Sequence, residues 1–342
     1  MRKLGVGVLG VGEMGQRHAE NLRRLVPNAR LVAVADVSAG RARQVAEELE
    51  IEKSYDSLEA MLECQEINAV VIATPDRFHP SAVKLAAAAG KDILCEKPIA
   101  LSLAEGHELL NAVAKAGVRL QVGFMRRYDP AYAAAMKRIE AGEIGTPVIF
   151  KSIGRDKEGP PLASYDSNMN GMLFYTNSIH DFDLARWLVR DEVSEVQAYT
   201  TTAIRPEVAK FGDVVAGVVN LKFHAGAIGN IESYAQAAYG YDVRTEIVGS
   251  KGSIVVGGLH QTPATFLTVH GSVRPIVDHF LSAFRDAYLA EIRDFVDCML
   301  SERAPRVTGG DGLKALAIAV AAETSHLEAK AAKVPLAIAA TV

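Results

Sequence analysis

The sequence has few cysteines, no excess of basic residues and no long apolar run. The formal net charge of its 342 residues is −4, so we expect no basic surface for nucleic acid or an anionic membrane. Its three cysteines, Cys64, Cys95 and Cys298, form neither a C-x-x-C nor a metal-ligand pattern, which is typical of reduced thiols in a cytoplasmic protein. No apolar stretch reaches the ~18 residues of a membrane span, and we expect the chain to begin with a strand rather than a signal peptide.

The length of the chain suffices for two domains with sizeable cores. In the first third, short apolar segments alternate with helical segments, which predicts a parallel, doubly wound α/β sheet. The predicted strands are residues 4–9, 31–35, 69–73, 93–95 and 119–122. We expect one domain at residues 1–123 and a second, of different character, at residues 124–342.

A glycine-rich loop, Gly10-Val11-Gly12-Glu13-Met14-Gly15, follows the first predicted strand, and a helix follows the loop. This is G-x-G-x-x-G in the strand–loop–helix context that dinucleotide binding requires. The first glycine permits a tight turn, the second lets the backbone approach a pyrophosphate, and the third allows the helix to pack closely. Because a helix N-terminus attracts phosphate, we expect this loop, with Glu13 and Met14, to bind a dinucleotide.

Asp36 ends the second predicted strand, about 20 residues after the glycine loop, where an acidic side chain meets the adenosine ribose. A carboxylate at this position accepts hydrogen bonds from the free hydroxyls of NAD and repels the 2′-phosphate of NADP. We therefore expect NAD as the cofactor. Arg41 and Arg43 lie close by in the sequence, and use of NADP through these arginines is the alternative.

Lys97 lies just past the carboxyl end of the predicted strand 93–95, in the run Glu96-Lys97-Pro98. Ligands of open α/β sheets bind outside these strand ends, so a cation at this position can meet both a cofactor and a substrate oxygen. On position alone, a solvated surface lysine is the alternative interpretation. We expect Glu96 and Lys97 to contribute to the cofactor site.

Thr74 and Pro75 follow the predicted strand 69–73 and are expected at the same edge of the sheet. His79 comes a few residues later, at the start of the next predicted helix. This histidine either contacts the cofactor or caps that helix.

The second domain contains β-branched runs separated by turn residues. Several runs alternate apolar and polar residues, which predicts a large, mostly antiparallel open sheet with one face packed on helices. The other face is a candidate oligomer interface. The predicted strands are residues 148–153, 193–200, 214–223, 227–234, 243–248 and 253–256, and the predicted closing helices are residues 284–301 and 311–332.

His180 lies near the start of a predicted helix that Leu184, Trp187 and Leu188 mark by their apolar spacing. A helix N-terminus lowers the pKa of a histidine, and a nearby carboxylate such as Asp183 opposes that effect. A histidine with a pKa near neutrality suits a general base. A structural role is the alternative, and no histidine–carboxylate spacing in the sequence suggests a metal site.

Motifs over essentially the whole chain resemble those of the Gfo/Idh/MocA oxidoreductases, and within them the inositol dehydrogenases. The resembling motifs are Gly10-x-Gly12-x-x-Gly15, Ala73-Thr74-Pro75, His79, Glu96-Lys97-Pro98, Gly123-Phe124-Met125-Arg126-Arg127-Tyr128-Asp129-Pro130, His180-Asp181-Phe182-Asp183, Tyr239-Gly240-Tyr241-Asp242 and Ala287-Tyr288. The resemblance implies a Rossmann domain joined to an α/β substrate domain, and a homotetramer or homodimer. It also implies NAD(P)-linked oxidation of a secondary hydroxyl in a cyclic polyol or sugar.

The resemblance further assigns roles to individual residues. It implies that His180 is the base and that Lys97 stabilises the alkoxide. In the relatives an aspartate four residues before this histidine is usually the third catalytic residue, and this chain has Thr176 there. We therefore expect Thr176 in the catalytic site and a substrate that differs from myo-inositol. The expected substrate-binding residues are Arg126, Asp156, Asn177, Asp183, Tyr241 and Tyr288, with residues 157–170 as a loop at the substrate entrance.

Two other functions fit the same motifs. One is a glycosidase that holds NAD tightly and oxidises its substrate only transiently. The other is a non-catalytic, NAD-binding regulator in which loss of the aspartate marks loss of activity. The presence of both Lys97 and His180 favours an enzyme over the regulator.

Overall fold

The computed structural model describes residues 3–162, 165, 173–258, 264–269 and 271–335. Up to residue 122 the elements are β1 (Leu4–Leu9), α1 (Glu13–Arg24), β2 (Ala29–Ala35), α2 (Ala39–Glu48), β3 (Lys53–Tyr55), α3 (Leu58–Leu62), β4 (Ala69–Ile72), α4 (His79–Ala88), β5 (Asp92–Cys95), α5 (Leu103–Ala116) and β6 (Leu120–Val122). The later elements are α6 (Pro130–Glu140), β7 (Pro147–Arg155), α7 (Ile179–Val189), β8 (Val193–Thr201), β9 (Ala216–Phe223), β10 (Ile228–Tyr234), β11 (Asp242–Gly249), β12 (Ser253–Val256), β13 (Phe266–Thr268), β14 (Gly271–Val273), α8 (Phe280–Ala283), α9 (Arg285–Leu300), α10 (Gly309–Glu328) and β15 (Ala332–Lys333).

The chain forms two compact units. Among the described residues, the first unit contains residues 3–125 and Ala287–Leu316, and the second contains Arg126–Asp286 and Ala317–Pro335. The sequence predicted a single change of domain after residue 123. The chain instead returns to the first unit at Ala287, so α9 belongs there and not to the second domain.

The first unit is built on a parallel sheet with the strand order β3-β2-β1-β4-β5-β6. All residues of β1 and β4 are buried, as expected for parallel strands that are covered on both faces. The strand order reverses beside β1, which places the ends of β1 and β4 at the topological switch point where such sheets bind ligands. The predicted doubly wound sheet is thus confirmed, with the short polar strand β3 as an addition that has too few apolar residues to be recognised.

Helix α9 completes the hydrophobic core of the first unit. Its residues Ile292, Phe295 and Val296 are fully buried and pack in one cluster with Val8 and Val34 of the sheet. Burial of such side chains contributes roughly 1.5–3 kcal/mol each, so attachment of α9 to this sheet is strongly favoured.

The second unit contains a mixed sheet with the order β12-β11-β7-β10-β9-β8-β15. β7 and β10 pair in parallel, and the other neighbours pair antiparallel. Along β9, buried residues alternate with exposed ones, which is typical of a sheet that is covered on one face. The predicted large, mostly antiparallel sheet is therefore confirmed.

The closing segment differs from its prediction. Helix α10 ends at Glu328, whereas the sequence predicted a helix to residue 332. Ala329 adopts a left-handed backbone conformation with φ of 52°, which ends the helix. Ala332 and Lys333 then pair with β8 as an antiparallel edge strand.

The helix starts follow local sequence signals. Ser102 caps α5 by accepting a hydrogen bond from the backbone amide of Glu105 at 3.3 Å. Asp129 caps α6 in the same way, and Pro130 occupies the first turn. Within the described part of the chain, no helix is both long enough and apolar enough to cross a membrane.

Candidate active site

The three glycines of the loop after β1 have different surroundings. Gly10 has φ of +81°, a conformation that favours glycine. A Cβ atom on Gly15 would lie 1.7 Å from the carbonyl oxygen of Gly10, so only glycine lets α1 pack this closely. A Cβ atom on Gly12 would meet nothing within 4 Å, which leaves open space beside the backbone for a pyrophosphate.

The surroundings of this loop also fit a dinucleotide. Gly12 caps α1 without a side-chain hydrogen bond, so the amides of the first turn, with Glu13 and Met14, are presented at a helix N-terminus. The hydroxyl of Thr74, after β4, is buried and has no hydrogen-bond partner among the described residues. A polar ligand at the ends of β1 and β4 would satisfy both features.

Asp36 lies at the end of β2 and is fixed by backbone amides. Its Oδ2 accepts a hydrogen bond from the amide of Val11 at 3.0 Å, and its Oδ1 accepts one from the amide of Ser38 at 2.9 Å. Arg41 Nη1 lies 3.8 Å from Asp36 Oδ2, and this arginine is more than half exposed. Asp36 therefore adjoins the glycine loop, which favours a ribose diol over a 2′-phosphate.

His79 connects two loops at the edge of the first sheet. Its ring nitrogens Nδ1 and Nε2 lie 2.6 Å from the carbonyl oxygen of Pro98 and 2.8 Å from that of Thr74. The side chain is buried, and Pro75 beside it is exposed. Support of the two loops is thus the role of His79 that the structure shows, and its direct contact with a cofactor stays a prediction.

Lys97 lies directly after β5, as the sequence predicted, and is half-buried. Glu96, before it, donates its backbone amide to the carbonyl oxygen of Ile72 at 2.9 Å and is itself buried. Oε1 of Glu96 accepts a hydrogen bond from His18 Nε2 at 2.7 Å. Although burial opposes ionisation, this hydrogen bond and nearby positive charge lower the pKa of Glu96.

Sequence reasoning gave no role to His18 or to Glu291. His18 is in α1 and Glu291 is in α9, and both are fully buried close to Glu96. Tyr288, expected to bind substrate, lies in the same unit with its ring edge-on to His18, at 6.2 Å between ring centres. These contacts join residues that are far apart in the sequence, so no local pattern could have revealed them.

In the second unit, Thr176 and His180 lie on one continuous helical segment. Residues Phe174–Ser178 form a π-helical turn that leads directly into α7. His180 is the second residue of α7, near the helix start that the sequence predicted, and the π turn before it already has helical backbone. A π turn within a helix is rare and frequently marks a functional site.

Asn177 and Asp156 form a pair beside this turn. Asn177 Nδ2 donates a hydrogen bond to Asp156 Oδ2 at 2.7 Å. The backbone of Asp156 bonds to Tyr234 and Ala237, each at 2.8 Å, which fixes its position after β7. A Cβ atom on Gly154 would lie 3.0 Å from Asn177 Oδ1, so glycine allows the helix to approach the strand.

Two buried ion pairs anchor α7. Arg126 Nη1 donates to Asp181 Oδ1 at 2.7 Å, and Arg126 also donates a hydrogen bond to the hydroxyl oxygen of Tyr241. Arg127 binds Asp183 through two hydrogen bonds, of 2.8 and 2.5 Å. Burial raises the pKa of Tyr241, which keeps its hydroxyl protonated.

Three residues that were expected to bind substrate take part in these contacts: Arg126, Asp183 and Tyr241. All three are buried, and their contacts fix the helix that carries His180. Arg127 balances the charge of Asp183. Direct contact of these side chains with substrate stays a prediction.

Of the predicted entrance loop, residues 163, 164 and 166–170 lie outside the described residues.

A parallel sheet in this strand order, with the glycine loop after β1, defines a Rossmann dinucleotide-binding unit. Comparison with known proteins identifies the family. Residues 4–124 match the Gfo/Idh/MocA oxidoreductase family with its NAD-binding Rossmann fold, and residues 132–255 match the C-terminal domain of the same family.

Curated relatives match over nearly the full chain. The NAD(+)-dependent scyllo-inositol 2-dehydrogenase of Bacillus subtilis is 41% identical over 93% of this chain and 92% of its own. The myo-inositol 2-dehydrogenase of Thermotoga maritima is 36% identical over 96% of this chain and 98% of its own. The chain therefore belongs to the Gfo/Idh/MocA family of oxidoreductases, which confirms the predicted family, and its first unit is an NAD-binding domain.

Solved structures agree with this assignment. The structure of scyllo-inositol dehydrogenase from Lactobacillus casei, with bound NAD(H) and scyllo-inositol, superposes with a TM-score of 0.92 at 28% identity, covering 97% of this chain and 99% of that one. The probable dehydrogenase from Thermotoga maritima also gives a TM-score of 0.92, at 35% identity, covering 98% and 100%.

Proposed function

We propose that this protein is an NAD-dependent dehydrogenase that oxidises a secondary hydroxyl of an inositol-like cyclic polyol to a ketone. The observation that carries the proposal is the match to named inositol 2-dehydrogenases over more than nine-tenths of both chains. The glycine loop and Asp36 supply the matching nucleotide site in this chain.

The proposed chemistry needs a base and a stabiliser of negative charge. His180 takes the proton of the substrate hydroxyl, and Lys97 stabilises the alkoxide that develops. Bound NAD supplies the hydride acceptor. The position of Lys97 after β5 and the anchoring of α7 by Arg126 and Arg127 support these roles.

Thr176, Asn177 and Asp156 are the residues that we propose to select the polyol. Asn177 Oδ1 is buried and has no hydrogen-bond partner within the described ranges, so it suits a donor such as a ring hydroxyl. Thr176 brings a hydroxyl where the relatives usually have a charged carboxylate. The preferred ring or hydroxyl is therefore expected to differ from that of aspartate-bearing relatives.

A panel of inositol isomers, sugars and glycosides, each with NAD and with NADP, tests this function. We expect NADH to accumulate in proportion to substrate consumed, with an inositol isomer as the best substrate and NAD preferred. Release of sugar from a glycoside without net NADH would instead indicate the glycosidase. Binding of NAD without turnover of any polyol or glycoside would indicate the regulator.

We also propose that the protein forms a homotetramer or homodimer through the open face of the second sheet. Tyr199 and Val218 face each other on neighbouring strands there and are exposed, and Val255 is exposed on β12. Such apolar residues on one sheet face are typical of an interface. Light scattering should give a multiple of the monomer mass, and Val218→Glu should lower the measured mass.

The thiols of Cys95 and Cys298 are buried, which fits the cytoplasmic location that we propose.

A further inference from the structure

Three ionisable side chains form a buried cluster in the first unit, and one of them belongs to the residue before Lys97. They are His18 of α1, Glu96 after β5 and Glu291 of α9, and one nitrogen or oxygen atom of each lies within 4.8 Å of the others. His18 and Glu291 are fully buried, and Glu96 is nearly so. Both carboxyl oxygens of Glu291 lack a hydrogen-bond partner in the part of the chain that the structure describes.

The cluster holds two carboxyl groups, and their surroundings are unequal. Glu96 is hydrogen-bonded to His18 and also experiences the positive charge of Lys97. Glu291 has no such partner, and the carboxylates that act on it are Glu96 across the cluster and Asp294 on its own helix. Burial and these two charges raise the pKa of Glu291 well above its ordinary value. Glu96 is therefore the ionised member, and Glu291 keeps its proton.

The short distance between His18 and Glu96 fits a hydrogen bond better than it fits two ligands of one metal ion. His18 Nε2 and Glu96 Oε1 are 2.7 Å apart, which is the distance of a charge-assisted hydrogen bond. Two ligands of a tetrahedral zinc ion, each ~2.0–2.1 Å from the metal, would lie roughly 3.3 Å apart. The contact between His18 and Glu96 is therefore a hydrogen bond and not a pair of metal ligands.

The cluster is connected to Lys97 through the backbone. The side chain of Glu96 is fixed by His18, and the carbonyl oxygen of Pro98 accepts a hydrogen bond from His79 at 2.6 Å. Lys97 lies between these two anchors. A Cβ atom on Gly123 would lie 2.8 Å from Glu96 Oε2, so the carboxylate has little room to move on that side.

We propose that Glu291 is a positioning residue that, as a neutral acid, keeps a single negative charge on Glu96 and so holds Lys97 in place. This proposal rests on the role of Lys97 in the proposed dehydrogenase. Ionisation of Glu291 would put two negative charges within 4.8 Å of each other in a buried cluster, and the repulsion would displace Glu96 and the lysine after it. Turnover should therefore fall when Glu291 loses its proton at alkaline pH.

The variant Glu291→Gln tests the proposal, because glutamine has the shape of the neutral acid and never ionises. Stability and activity are measured against pH for the wild type, for this variant and for Glu108→Gln, an exposed control on α5. Glu291→Met, an apolar side chain of similar length, provides a second variant if the amide does not fold.

The stability measurement does not depend on the enzymatic function. Above pH 4.5, the ordinary pKa of the side chain, the unfolded wild type loses a proton that the folded protein retains. Wild-type stability should therefore decline with rising pH relative to Glu291→Gln, by up to tenfold in the unfolding equilibrium constant per pH unit. Parallel curves for the two proteins would overturn the assignment of a neutral Glu291. A zinc-dependent gain in wild-type stability that Glu291→Gln lacks would overturn it as well.

The activity measurement separates positioning from a merely structural role. Glu291→Gln should keep the wild-type kcat at neutral pH, with unchanged KM for NAD, and should retain activity at alkaline pH where the wild type and Glu108→Gln lose it. An identical alkaline limb in all three proteins would overturn the positioning role. If no polyol is oxidised by any of them, the proposed function fails and the positioning role fails with it, while the stability curves still decide the state of Glu291.

Discussion

The substitutions Gly12→Ala and Gly15→Ala should have separate effects. The first should weaken nucleotide binding, and the second should lower the stability of the fold. Both glycines belong to the same loop, and both substitutions introduce alanine. The structure gives them opposite surroundings, since a Cβ atom on Gly12 meets nothing within 4 Å and one on Gly15 lies 1.7 Å from the Gly10 oxygen. The pair therefore provides its own control.

The expected magnitudes follow from these distances. Gly12 has φ of −69°, which alanine adopts without strain, so Gly12→Ala should change the free energy of unfolding by no more than about 0.5 kcal/mol. Its methyl group would occupy the space left for the pyrophosphate and should weaken NAD binding at least ~10-fold, or about 1.4 kcal/mol. Gly15→Ala must move α1 away from the loop, which should cost about 1–3 kcal/mol of stability.

Two measurements on each variant decide the outcome. Denaturant unfolding without NAD gives the stability, and calorimetric titration gives the Kd for NAD. Wild-type affinity in Gly12→Ala would refute the placement of the pyrophosphate, and wild-type stability in Gly15→Ala would refute the close packing of α1.

Three further substitutions test other parts of the site. Asp36→Ala should narrow the preference for NAD over NADP in kcat/KM, and a wild-type preference for NADP would contradict the role of this carboxylate. Thr176→Asp should raise the pKa that limits turnover, because a carboxylate stabilises a protonated base, and should reorder the polyols; an unchanged pH profile and ranking would place the side chain outside the site. Arg127→Met should cost about 3–5 kcal/mol by removing both hydrogen bonds of the guanidinium to the buried carboxylate of Asp183, whereas Arg138→Met, which breaks an exposed pair, should cost at most about 1 kcal/mol; equal losses would show that the buried pair does not anchor α7.

The sequence predicted the elements whose signals are local. Fully apolar runs such as that of β4 and the glycine loop after β1 are determined within a few residues. The attachment of α9 to the first unit depends instead on packing of Phe295 and its neighbours against strands from the first third of the chain. The edge strand at Ala332 depends similarly on its pairing with β8, which an alanine-rich sequence does not indicate.

For the candidate site, chemistry was easier to predict than contacts. The residue types at Lys97 and His180 indicated an alkoxide stabiliser and a base, and these roles stay predictions. The buried pairing of Asp183 with Arg127 could not be seen, because the two residues are 56 positions apart in the sequence. The same holds for the π turn at Phe174–Ser178, which no residue pattern in the segment specifies.

The rate of NADH formation from the best inositol isomer, measured for Lys97→Met and His180→Ala, tests the proposed chemistry most directly. Lys97→Met should lower kcat by about 10²–10³, since it removes a preorganised positive charge, and should leave the Kd for NAD nearly unchanged. His180→Ala should abolish oxidation at neutral pH, while the exposed control Lys115→Met should behave as the wild type. Near wild-type turnover in Lys97→Met or in His180→Ala would contradict the proposed mechanism.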